Sequence, residues 1–102
     1  MLELRPDCEC CGKDLPPNAT EAMICTFECT FCRNCVGTKL FNVCPNCGGG
    51  FVPRPVRPSR EHRKGAFLGN RPASTVRKHR AIDLAEHAEF ARTLKDIPPH
   101  KR

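Results

Sequence analysis

The chain contains no tryptophan and no tyrosine, and none of its 102 residues belongs to a long apolar run. A membrane-spanning helix needs about 20 consecutive apolar residues, so no such helix is expected. The opening stretch, Met-Leu-Glu-Leu-Arg-Pro-Asp, is charged and lacks the apolar segment of a secretory signal. A cytoplasmic setting, where thiols stay reduced, follows as the expectation. Histidine is missing from the first half: all four, His62, His79, His87 and His100, lie in the second. A hydrolytic zinc site usually combines His or carboxylate ligands with an open position, and the first half offers no such set. No Ser-His-Asp pattern, phosphate loop or catalytic carboxylate pair stands out either, so a non-enzymatic protein is expected. Core-forming residues are scarce too. Residues 1–53 hold only twelve Leu, Ile, Val and Phe, too few to offset the backbone entropy of about 50 residues without metals or disulfides.

What is present is cysteine. There are nine, at positions 8, 10, 11, 25, 29, 32, 35, 44 and 47. The odd count and the reduced compartment favour metal over disulfide. With Cys10 set aside, eight form four pairs: Cys8/Cys11, Cys25/Cys29, Cys32/Cys35 and Cys44/Cys47. Two intervening residues let a tight turn aim both sulfurs at one ion about 2.3 Å away. Gly12 and Gly48 follow two of the pairs, where positive φ would turn backbone N–H groups toward the thiolates. Pro45 presets the turn between Cys44 and Cys47. Cys10 is the expected spare thiol: beside Cys11 its side chain points away, and a one-residue gap from Cys8 is a rarer metal spacing. Whether Cys8 or Cys10 partners Cys11 is left for the structure. Four soft thiolates in a closed set select zinc, with iron as the alternative.

Two Zn2+ ions are therefore expected. The short gap between Cys29 and Cys32 favours an interleaved arrangement. Cys8, Cys11, Cys32 and Cys35 would share one ion, and Cys25, Cys29, Cys44 and Cys47 the other. The sequential arrangement, first pair with second and third with fourth, is the alternative.

The order of these pairs resembles the RING cross-brace, with Cys29 where RING domains usually carry His. That resemblance implies a small metal-stabilised α+β fold, RING-like or treble-clef-like. Glu21–Cys32 would supply the β-hairpin, and Arg33–Phe41 a short helix with Val36 and Leu40 facing the core. The wider text, Leu-Glu-Leu-Arg-Pro-Asp-Cys-Glu-Cys-Cys, Asp-Leu-Pro-Pro, Phe-Glu-Cys-Thr-Phe-Cys and Cys-Pro-Asn-Cys-Gly-Gly, resembles a bacterial cysteine-rich family, domain-of-unknown-function family 1272, over residues 1 to about 57. That family implies zinc binding and no activity.

Charge divides the chain. Residues 1–53 carry four Lys/Arg against six Asp/Glu, and residues 54–102 carry thirteen against five, a net of −2 and of +8. Two four-thiolate zinc sites would take the front half to about −6. The expected organisation is a two-zinc module at 1–52, a solvated basic Pro-rich linker at 53–72, an amphipathic helix at 73–97 and a basic tail at 98–102. Ser74 or Thr75 would cap the helix, Pro98-Pro99 would end it, and Val76, Leu84, Phe90, Ala91, Leu94 and Ile97 would form its apolar side. Such a helix docks back on the module, binds a partner or pairs with its copy; docking is preferred.

Three function classes follow. The first is a structural and interaction module with a protein or nucleic-acid partner. Nine cations, Arg54, Arg57, Arg60, Arg63, Lys64, Arg71, Arg77, Lys78 and Arg80, face one acid, Glu61, and suit phosphate backbones. Phe67 is the only aromatic among them, so base stacking has little to work with. The second is a RING-type ubiquitin-ligase-like domain; RING ligases usually place an apolar residue between the first two ligands, where this chain has Glu9 and Cys10. The third is a thiol redox or metal sensor built on Cys10 or a released ligand.

Overall fold

The computed structural model describes residues 1–102. Its centre is a three-stranded antiparallel sheet. Strand β1 (Ala22–Ile24) pairs with β2 (Thr30–Cys32), Ala22 opposite Cys32 and Ile24 opposite Thr30. Strand β3 (Val52–Pro53) joins the other edge of β1, giving the order β2-β1-β3. A proline is tolerated there because an edge strand leaves one side of the ladder unpaired.

Helix α1 (Arg33–Thr38) follows β2 without a connecting loop, and the sulfur of Cys32 caps it by accepting the N–H of Cys35. The helix stops early. Gly37 weakens it, and Phe41 and Asn42 both turn left-handed, at φ 55° and 56°. Asn42 tolerates this conformation, and its side-chain oxygen accepts the N–H of Phe51 at 3.0 Å. The apolar core is correspondingly small. Phe31 meets Phe51 edge to face, with centroids 5.3 Å apart, and Leu4, Leu15, Leu40 and Val43 are buried beside them. Val36 and Leu40 face this core as the hairpin-and-helix reading expects. Six cysteines are buried with them: Cys8, Cys25, Cys29, Cys32, Cys35 and Cys44.

The second half departs from expectation in two places. The stretch 53–72 is not a free, solvated linker. Arg54 is only 4 % exposed. Its guanidinium donates to the carbonyls of Arg5, Leu15 and Pro16 at 2.9, 3.3 and 2.9 Å, and burial lowers its pKa. Its own N–H extends the sheet edge by bonding Ala22 O. Three carbonyl oxygens and no carboxylate hold this buried cation.

The helix expected over 73–97 is confined to α2 (Leu84–Ala91), capped by Asp83 rather than Ser74 or Thr75. Competition for N–H groups explains the shortening. The N–H groups of Lys78 and His79 both bond the carboxylate of Asp7 at 3.0 Å, and those of Ser74 and Arg80 bond Leu4 O and Glu9 O. A segment whose donors point sideways to another strand has none left for a helical ladder. After Ala91 the chain continues in short turns to Pro98. The apolar side also differs from the helical wheel. His87 and Ala91 are the buried residues of α2, whereas Val76, Leu84 and Phe90 stay exposed. His87 Nε2 lies 2.9 Å from Leu40 O, so this nitrogen carries the proton. The helix thus docks on the end of α1.

Candidate metal centre

Two knuckles are built on one backbone pattern. In the first, Cys8 N–H bonds Lys13 O and Gly12 N–H bonds Cys8 O, each at 2.8 Å. In the second, Cys44 N–H bonds Gly49 O and Gly48 N–H bonds Cys44 O, again each at 2.8 Å. Gly12 and Gly48 both sit at φ 78°, a conformation that favours glycine. The other two pairs come from the sheet. Cys25 and Cys29 close the β1–β2 hairpin, with Cys25 N–H on Cys29 O at 3.2 Å and Glu28 at φ 64° between them. Cys32 and Cys35 straddle the junction of β2 and α1.

Folding brings the first and third pairs together. The sulfurs of Cys8, Cys11, Cys32 and Cys35 all lie within 4.8 Å of one another. Those of Cys25, Cys44 and Cys47 form a second such group. Cys29 stands outside that 4.8 Å limit, held by the side-chain amide of Asn46, which donates to its sulfur at 3.4 Å. Cys10 belongs to neither group; it is half-buried against the core. Both groups are composed of thiols alone and could hold a metal ion.

Donors surround the sulfurs. Cys11 N–H points at Cys8 Sγ and Cys35 N–H at Cys32 Sγ, each at 3.5 Å. In the second group Phe27 N–H points at Cys25 Sγ and Gly49 N–H at Cys47 Sγ, each at 3.4 Å. Such donors orient thiolate ligands and share their charge. Without a cation, burial dominates: it pushes the Cys8 thiol up to about 11 and also raises Cys29, Cys35 and Cys44. Cys11 goes the other way. Burial raises it, but the Lys13 N–H and the neighbouring thiols outweigh that effect. A cluster of buried thiols held so close is therefore suited to a cation that takes them as thiolates.

Residues that spacing alone did not mark surround these clusters. Asp7 and Glu9 flank Cys8 and are buried. Glu9 accepts Thr30 N–H at 2.6 Å and the Arg5 guanidinium at 2.9 Å, while Asp7 clasps Lys78 and His79. Arg77 donates to Gly12 O and Arg102 to Gly48 O, at 2.8 and 3.1 Å. Each knuckle glycine therefore has its carbonyl capped by an arginine of the second half. The only sequence signal for this was the excess of arginine there.

Of the nine cations expected to face a polyanion, four have internal duties. Arg54 is buried as described. Arg57 donates to Leu2 O and Arg71 O, both at 2.7 Å. Arg77 pairs with Asp14 and Asp7, and Arg80 bonds the side-chain oxygen of Asn46. Arg60, Arg63, Lys64, Arg71 and Lys78 are exposed.

The fold and its thiol clusters define a small cysteine-rich α+β protein whose first half is organised around potential metal sites. The chain belongs to the family described as protein of unknown function (DUF1272), whose model matches residues 1–57. It is 60 % identical over 77 residues to the uncharacterized protein R02474 of Rhizobium meliloti (strain 1021), covering 76 % of this chain and 84 % of that protein. Since 77 matched residues exceed the 57 of the family model by 20, at least that many lie in the second half. No solved structure matches the chain. No helix is long and apolar enough to cross a membrane.

Proposed function

We propose that the protein is a structural zinc module, a non-catalytic scaffold on which the basic second half meets a macromolecular partner. The observation that carries this reading is the closure of Cys8, Cys11, Cys32 and Cys35 within 4.8 Å, with three of the four buried. An all-thiol set of four selects zinc over harder ions, and it leaves no coordination position for a substrate or water. Cys25, Cys44 and Cys47, with Cys29 swinging in as fourth ligand, hold the second ion. Structural zinc contributes about 10–16 kcal/mol of apparent folding free energy per site, far more than a core this small supplies. The joining of the first pair to the third supports a RING-like cross-brace. A ubiquitin-ligase role is disfavoured by Glu9, which stands buried and ion-paired between the first two ligands.

Elemental analysis of the purified chain tests this reading, and two zinc ions per chain are expected. Exhaustive chelation should abolish the near-native circular dichroism of the module, and re-addition of zinc should restore it. A chain that stays folded after chelation, or that contains cystine bridges in place of ions, sinks the proposal.

A further inference from the structure

The basic second half contains a self-contained loop from Arg57 to Arg71. Its ends are tied together: Arg57 donates to Arg71 O at 2.7 Å, and Leu68 N–H bonds Pro58 O at 2.9 Å. Arg57 also anchors the loop base on the module through Leu2 O. Inside, the Asn70 amide donates to Gly65 O at 3.0 Å. The N–H groups of Asn70 and Arg71 bond Phe67 O at 3.1 and 2.9 Å, and Ala66 N–H bonds Arg63 O at 3.0 Å. The sole acid of the loop, Glu61, is exposed and accepts Gly65 N–H at 2.9 Å.

The exposed charge of the loop is four cations against this one carboxylate. Arg60, Arg63, Lys64 and Arg71 are exposed, and none takes part in any of the ion pairs of the molecule. Fixed cations on a preformed loop lose less entropy on binding than the same side chains on a free tail. The large exposed apolar side chains all lie elsewhere, and Phe67 is half-buried. A membrane-inserting loop would present apolar residues, and a protein-binding surface would centre on aromatic or aliphatic anchors. Charge alone, regularly displayed, suits a phosphate backbone.

We propose that the loop 57–71 is a preformed, sequence-independent nucleic-acid-binding element, with Arg60, Arg63, Lys64 and Arg71 contacting phosphates. This rests on the scaffold reading above and names the partner it left open. Lacking an exposed aromatic ring, the loop reads no bases by stacking.

The test is fluorescence anisotropy of the zinc-loaded full chain with labelled duplex DNA and single-stranded RNA of about 20 nucleotides, at about 50 and 200 mM salt. Four phosphate contacts predict binding to duplex that weakens roughly 100-fold across that range. The triple variant Arg60→Gln, Arg63→Gln, Lys64→Gln should lose about three-quarters of the salt dependence and bind at least ~10-fold more weakly at low salt. A control, Arg92→Gln, Lys95→Gln, Lys101→Gln, removes the same charge beyond the loop and should bind within about threefold of the parent. Equal weakening by both triples, or no binding at low salt, overturns the proposal. So does binding to phosphatidylserine vesicles or polyglutamate that nucleic acid fails to displace. Zinc content measured on every variant keeps the two readings apart: a metal-free parent defeats the scaffold, whereas unaltered zinc with unaltered binding in the loop triple defeats the loop alone.

Discussion

The two thiol clusters share a knuckle but not a partner for it. In the first cluster the Cys8/Cys11 knuckle faces Cys32 and Cys35, which are fixed by the β2–α1 junction, and all four sulfurs converge within 4.8 Å. In the second, the equally regular Cys44/Cys47 knuckle faces a hairpin loop, and only Cys25 of that loop lies within that distance of both knuckle sulfurs. The difference lies in the backbone that carries the opposing pair. A strand-to-helix junction has every residue in a preferred conformation. The Cys25–Cys29 loop instead needs Glu28 at φ 64°, and its last sulfur accepts the side-chain N–H of Asn46. Regular backbone makes a ligand set complete before the ion arrives; a strained loop leaves the ion to complete it.

Removing one ligand from each cluster gives the largest contrast. Cys32→Ala takes away both a ligand and the cap of α1, so the first ion should be lost outright, with about 10 kcal/mol of apparent folding free energy. Cys29→Ser should keep two ions at neutral pH and surrender the second only to a competing chelator. Zinc release followed with a chromophoric chelator checks both, and the comparison fails if Cys29→Ser proves the more damaging. Acid should empty both clusters. Burial holds protons on Cys8, up to about 11, and on Cys35 and Cys44 in the metal-free chain, so each of these thiols must release one when an ion binds. Metal affinity therefore rises with pH and falls as pH drops.

The second half also treats the clusters unequally. It clasps the first through Asp7, whose carboxylate accepts the N–H groups of Lys78 and His79, and covers the second with Phe90 and Leu94. Asp7→Ala leaves two N–H groups without acceptors and should destabilise the chain by about 1–3 kcal/mol. Limited trypsin digestion would register it as faster cleavage at Arg77, Lys78 and Arg80, with zinc content unchanged. Loss of zinc in this variant would show that Asp7 serves the metal site and not the clasp.

These contacts mark the border of what the sequence could reveal. The knuckle glycines, the hairpin and the buried faces of Val36 and Leu40 are local, set within a few residues by turn geometry and spacing. The grouping of Cys8 and Cys11 with Cys32 and Cys35 was legible because four local pairs can combine two by two in only three ways. The extent of α2 was not. Helical periodicity over 73–97 was real, but it competed with Asp7 and Glu9, some 70 residues earlier, for the N–H groups of Lys78, His79 and Arg80. Arg54 misled for a related reason. Nothing in a proline-rich basic stretch distinguishes an arginine headed for solvent from one that is buried on three backbone carbonyls.

The knuckle glycines offer a smaller and more evenly matched test. An alanine at either meets the penalty for a left-handed backbone, about 1–2 kcal/mol. At Gly12 the added carbon would lie 3.3 Å from the ring of His79, an exposed side chain free to move. At Gly48 it would meet Leu94 at 3.3 Å and Phe90 at 3.4 Å, two apolar side chains that must give way together. Thermal denaturation of the zinc-loaded variants should therefore place Gly48→Ala below Gly12→Ala. Equal melting would mean that these two side chains yield as readily as one.

The smallest effect is expected at Cys10, and it decides which thiols of the crowded Cys8-Glu9-Cys10-Cys11 stretch belong to the cluster. Cys8 is fully buried, and its sulfur faces the N–H of Cys11. Cys10 is half-buried against the core, where a methyl group fills most of the same space. Cys10→Ala should thus retain two zinc ions and change stability by less than about 1 kcal/mol. If one ion disappears instead, Cys10 is a ligand of the first cluster, where its side chain already lies within reach of Cys35.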